Sequence, residues 1–141
     1  MKVKIKKLHP DAKIPTYGSD GAACFDLYAA EVESLHSGHM IKCSTGLAFE
    51  IPSGYEMQIR PRSGMMKNNG VMAFDGTIDA DYRGCVDVLL YTVCFAQDQM
   101  PRVGDKIAQA KIAPVEQAVF EEVEELSDTE RGASGFGSSG R

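Results

Sequence analysis

Alternation of apolar and polar residues dominates this chain. Tyr55-Glu56-Met57-Gln58-Ile59-Arg60 alternates without a break, Leu47-Ala48-Phe49-Glu50-Ile51 does so through one alanine, and Val3-Lys4-Ile5-Lys6 repeats the pattern. A period of two predicts strands buried on one face, because successive side chains leave a pleated strand on opposite sides. Apolar stretches at Met40 to Cys43, Val86 to Phe95, Ile107 to Ile112 and Ala118 to Val123 predict further strands at regular spacing. Ser37-Gly38, Ser53-Gly54 and Val103-Gly104-Asp105 read as the turns between them. One helix is predicted, with Ser63 as N-cap, running through Met65, Met66 and Lys67 to a stop at Asn69-Gly70.

Composition sharpens this picture. Fourteen Gly and six Pro in 141 residues leave little room for helices of ordinary length. The expected fold is all-β, a jelly-roll-like or distorted antiparallel β-barrel with one short helix. The length suits one domain, here drawn as a body over 1–126 and a flexible C-terminal arm over 127–141. Lys and Arg number 15 against 20 Asp and Glu, a net charge of -5 that argues against nucleic acid as a partner. No apolar run approaches a membrane span and the N-terminus is not basic-then-apolar, so the reading is no membrane partner and a cytoplasmic protein. Cys24, Cys43, Cys85 and Cys94 are separated by 19, 42 and 9 positions, without zinc-finger spacing, and read as reduced, mostly buried thiols.

The most informative stretch is Gly76-Thr77-Ile78-Asp79-Ala80-Asp81-Tyr82-Arg83-Gly84. Glycines that tolerate positive φ at both ends predict a tight reversal, and the strand-like run from Cys85 predicts a hairpin. Asp79 and Tyr82 would then share a rigid, backbone-rich pocket; the plainer reading makes Asp79 a turn cap and Tyr82 an ordinary strand-start aromatic. The chain turns acidic over 116–130 and ends in Arg131-Gly-Ala-Ser-Gly-Phe136-Gly137-Ser138-Ser-Gly-Arg141. Such a segment reads as a disordered tail, or as a lid whose ring covers a base while its cation grips phosphate.

These segments together resemble the homotrimeric dUTPases, deoxyuridine triphosphate nucleotidohydrolases, over nearly the whole chain. Ala23-Cys24-Phe25-Asp26-Leu27 looks like the first family motif, Pro61-Arg62-Ser63-Gly64 the second and Gly76 to Gly84 the third. Gly104-Asp105-Lys106-Ile107-Ala108-Gln109 looks like the fourth and Arg131 to Gly140 the fifth. The resemblance implies hydrolysis of dUTP to dUMP and pyrophosphate, which keeps uracil out of DNA and supplies dUMP for thymidylate synthesis. Asp79 would be the general base for a water attacking the α-phosphorus. Tyr82 would pack on the deoxyribose and exclude a ribose 2'-hydroxyl. Uracil would be read by main-chain groups of roughly Met72 to Ile78, including Thr77 and Ile78. Arg62, Ser63 and Gly64 would grip phosphates, with Gln109 near the α-phosphate. Asp26 would hold Mg²⁺ through bridging waters. In the arm, Phe136 would stack on uracil beside Gly137 and Ser138, with Arg131 on the γ-phosphate. The family also implies a homotrimer with sites shared between subunits.

Several positions depart from the family pattern. Ala73 stands where many members carry Asn, with Phe74 and Asp75 beside it, and Ser134 stands where Gly is typical. Two alternatives remain. Deoxycytidine triphosphate deaminases share the fold but carry a glutamate about where this chain has Leu89. A nucleotide-binding trimer without turnover would keep the pocket alone.

Overall fold

The computed structural model describes residues 1–35, 39–93 and 100–134, and in them the alternation becomes eleven strands and one helix. In chain order the strands are β1 (Lys4–Lys7), β2 (Thr16–Tyr17), β3 (Phe25–Tyr28), β4 (Glu31–Leu35), β5 (Met40–Ser44), β6 (Leu47–Glu50) and β7 (Tyr55–Arg60). After helix α1 (Ser63–Asn69) come β8 (Val71–Ala73), β9 (Gly76–Ile78), β10 (Asp87–Thr92) and β11 (Lys106–Pro114). They form three antiparallel ladders in the orders β1-β6, β4-β5-β10-β8 and β2-β3-β11-β7-β9. This is the expected all-β fold, as distinct ladders rather than one closed cylinder.

β10 shows how the pattern produces the packing. Val88, Leu90 and Thr92 point inward while Asp87, Leu89 and Tyr91 stay outside. Leu27, Ile41, Leu47, Met57, Leu90 and Ile107 are fully buried between the layers, each contributing about 1.5–3 kcal/mol of transfer free energy. Thr45 is buried without penalty because its hydroxyl donates to the Val86 carbonyl at 2.7 Å and accepts from the Leu47 N–H. Among the thiols, Cys43 is buried and Cys24 and Cys85 are half-buried; Cys94 lies outside the described residues.

The structure corrects four expectations. Ser63 is the first helical residue, not the cap: Arg62 occupies the N-cap position and no side chain caps the helix. The helix closes at Gly70, whose φ of 65° sends its N–H back to the carbonyls of Met65 and Met66. Ala118 to Val123 is not a strand; Val119 and Phe120 are 96% and 94% exposed. Gly76 and Gly84 do not adopt positive φ, and the segment between them joins two ladders instead of forming a hairpin: β9 pairs with β7, whereas β10 pairs with β5 and β8. Asp79, which that hairpin would have enclosed, is exposed.

Candidate active site

One charged corner forms where β3, β11 and β7 run side by side. Asp26 lies opposite Gln109, and Gln109 opposite Arg60, so the row leads directly to Pro61 and Arg62. Asp26 is 8% exposed, and a desolvated carboxylate needs partners. It has two: Arg62 Nε at 3.1 Å from one oxygen and Lys106 Nζ at 2.7 Å from the other. Arg62 also donates to the Lys106 carbonyl at 3.3 Å. Gln109 donates its amide to the Pro61 carbonyl at 2.8 Å, which pins the bend that presents Arg62. Ser63 and Gly64 follow, exposed, at the start of α1. A cleft of about 590 Å³ opens here, lined by Arg62, Gly64, Arg102, Asp105 and Lys106, so that its cations outnumber its carboxylate and suit an anionic ligand.

Lys106 received no role in the sequence reading, although it lies inside the fourth motif. Strict alternation would put residues 106 and 109 on opposite faces. A register shift between Lys106 and Ala108 breaks the period, leaving Ile107 and Ala108 both buried and turning Lys106 toward Asp26.

The second part of the site is the segment after β9. The Tyr82 N–H donates to the Asp79 carbonyl at 3.2 Å, closing a four-residue turn. Arg83 braces it by donating to the carbonyls of Ala80 at 2.6 Å and Tyr82 at 3.0 Å. The backbone therefore closes this turn, and the Asp79 carboxylate takes no hydrogen bond or ion pair among the described residues, so the turn-cap reading finds no support. Asp79 opens onto a cleft of about 510 Å³ shared with Tyr55, Glu56 and Asp81. Tyr82 folds back so that its hydroxyl donates to the Cys85 carbonyl at 3.0 Å.

Between these parts lie the residues assigned to the base. Thr77 is exposed opposite Gln58, and Ile78 is half-buried opposite Met57. β8 and β9 each end a ladder, so each offers an outer row of main-chain donors and acceptors that no described strand pairs with. The two parts do not meet within one chain. Asp79 follows Ile78 and so continues beside Glu56, whereas Arg62 lies past the other end of β7, about 13 Å away along the strand from Glu56 to Arg60, and the two open onto different clefts. Arg131 is exposed and donates to the Ser134 carbonyl of its own arm at 2.9 Å. Phe136, Gly137 and Ser138 lie outside the described residues.

Comparison with solved structures gives the class first. The chain superimposes with a TM-score of 0.86 on a variant of the Staphylococcus bacteriophage 80alpha dUTPase solved with dUpNHpp, at 26% identity and 99% coverage of both chains. A dUTPase variant from phage phi11, whose structure describes coordination of a structural Mg(II) ion, shares the fold at a TM-score of 0.77 and 22% identity, over 89% of this chain and 99% of that one. Sequence gives the family. A dUTPase family model matches residues 10–140, and the deoxyuridine 5'-triphosphate nucleotidohydrolase of Nautilia profundicola is 52% identical over the full length of both chains. The chain belongs to the dUTPase family.

Proposed function

We infer that the protein hydrolyses dUTP to dUMP and pyrophosphate, which removes a precursor of uracil in DNA and supplies dUMP for thymidylate synthesis. The observation that carries this is the full-length 52% identity to a dUTP nucleotidohydrolase. Asp79 is the general base: an uncommitted carboxylate on a turn fixed by backbone and Arg83 orients a water toward the α-phosphorus and takes its proton as attack develops. Arg62, Ser63 and Gly64 hold the phosphates, with Gln109 bracing that bend from behind. Thr77, Ile78 and the free edges of β8 and β9 present main-chain groups to uracil. Arg131, Phe136, Gly137 and Ser138 close over the nucleotide from an arm taken as 127–141, beyond a body of 1–126.

A magnesium ion fits this chain only as a guest of the nucleotide. Among the described residues no three His, Cys, Asp or Glu side chains converge as a cage, and Asp26 already faces two cations. Asp26 would therefore reach Mg²⁺ through water, in keeping with an ion that sheds its hydration reluctantly and neutralises phosphate charge.

The separation of Asp79 from Arg62 supports a homotrimer with shared sites. A base must come within about 3 Å of its water, so a carboxylate at the opposite end of β7 from the phosphate grip, about 13 Å along the strand and on a different cleft, serves a nucleotide held by another copy. Val119 and Phe120, apolar and clear of their own body, suit the same arrangement. No described helix is long and apolar enough to cross a membrane; the cytoplasmic location is part of the same proposal.

The test is pyrophosphate release from dUTP, dTTP, dCTP and UTP with Mg²⁺, by the intact chain and by one ended at Glu130. The expected result is cleavage of dUTP alone, lost in the shortened but folded chain. Ammonia release from dCTP, or tight dUTP binding without pyrophosphate, would overturn the reading.

A further inference from the structure

We propose that Gly84 is a specificity-determining residue of this site, because its missing side chain leaves the space that fixes the Tyr82 ring; the proposal rests on reading Tyr82 as the platform for the deoxyribose. A Cβ placed on Gly84 would lie 2.5 Å from Cζ and 2.9 Å from Cε2 of Tyr82, and closer still to its hydroxyl oxygen. Carbon atoms in ordinary contact stand about 3.5–4.0 Å apart, so a side chain here displaces the ring by about 1 Å. The three nearest atoms all belong to Tyr82 and none to backbone, which makes movement of the ring the available response. Gly84 does not occupy the left-handed region, so glycine is needed for room and not for its φ.

The hydroxyl end of the ring is also tied to this stretch of chain. Its hydroxyl donates to the Cys85 carbonyl, and the chain at that point is held by Val86, whose N–H donates to the Leu47 carbonyl at 2.9 Å while its carbonyl accepts from Thr45 N–H at 3.0 Å. Cys85 Sγ lies 3.1 Å from Ser44 Oγ. Tyr82 is thus referenced to the layers themselves, at a height that the absence of a side chain on Gly84 permits. Discrimination by shape is sensitive to this, since displacement by one ångström at a site can change rates about 10²-fold. A ring pushed off Gly84 no longer closes the space where a 2'-hydroxyl would sit, and UTP gains relative to dUTP.

Steady-state kinetics with dUTP and UTP on the wild type, Gly84→Ala, Tyr82→Ala and Gly21→Ala test this, each protein checked by sedimentation and thermal melting. Gly21 has open space around its Cβ position and controls for loss of a glycine as such. In Gly84→Ala the ratio of kcat/KM for dUTP over UTP should fall at least tenfold, with KM for dUTP rising more than kcat falls; Gly21→Ala should keep the wild-type ratio. A folded Gly84→Ala with the wild-type ratio, beside a Tyr82→Ala that has lost it, overturns the proposal. An unchanged ratio in Tyr82→Ala overturns instead the sugar-platform reading beneath it. If Gly84→Ala does not fold, Tyr82→Phe takes its place: it cuts the tie to Cys85, so the ratio should fall several-fold, and an unchanged ratio counts against the fixed ring.

Discussion

Asp79 is available for chemistry because the turn beneath it does not need its side chain. Main-chain hydrogen bonding and Arg83 hold residues 79–82, leaving the carboxylate outward and uncommitted among the described residues. Asp79→Asn keeps size and polarity but cannot accept a proton, so kcat for dUTP should fall by about 10²- to 10⁴-fold with thermal stability little changed. Pyrophosphate release and a melting curve check both halves. Cys43 makes a different prediction. Burial, aided by the negative charges of Asp105 and Asp87, pushes its thiol up from 9.0 to about 12. The folded state therefore keeps a proton that the unfolded chain gives up, so this contribution is intact below about pH 9 and is lost as pH rises toward 12, at up to about 1.4 kcal/mol per pH unit. Urea unfolding between pH 8.5 and 10.5 should show a steeper decline for the wild type than for Cys43→Ala.

At the level of elements, the charged corner depends on a defect in β11. The shifted register lets Lys106 share Asp26 with Arg62. Lys106→Gln would leave Arg62 as the only ion-pair partner, among the described residues, of a carboxylate that is nearly buried, and an arginine so engaged is less free to grip phosphate. The KM for dUTP should rise several-fold with a smaller change in kcat, read from initial rates at saturating Mg²⁺; an unchanged KM would show that Arg62 does not depend on Lys106. The strands of this corner were legible where alternation was regular, as in β7 and most of β11. Strands β2, β8 and β9, two or three residues each, are too short to show a period. The helix stop at Gly70 was readable because a left-handed C-cap favours one residue type. Its start was misplaced by one position, since Ser63 offers a capping hydroxyl that the structure does not use.

For the whole molecule, the distance between Asp79 and Arg62 predicts complementation. Asp79→Asn and Arg62→Ala subunits should each be nearly inactive alone. Mixed after unfolding and refolding together, they should recover activity through sites that draw a wild-type carboxylate from one copy and a wild-type grip from another. Activity that never exceeds the sum of the two parents would show that each chain supplies a complete site. The same scale explains the failed strand at Ala118 to Val123. Pairing with a partner makes a strand, not composition: among the described residues this segment pairs with none, and its apolar side chains remain exposed.

What the residues determined by themselves was local and chemical: strands from a period of two, one short helix from its glycine stop, and a set of motifs whose order resembles that of the dUTPases and through that resemblance implies the nucleotide chemistry. Tertiary structure decided which of these groups meet. It placed Asp26, Arg62, Lys106 and Gln109 in one corner, assigned β9 and β10 to different ladders, and set Asp79 at the far end of β7 from Arg62. The reason is that alternation fixes which face a side chain takes within one strand, whereas register shifts, ladder order and the ends of sheets depend on partners distant in the chain.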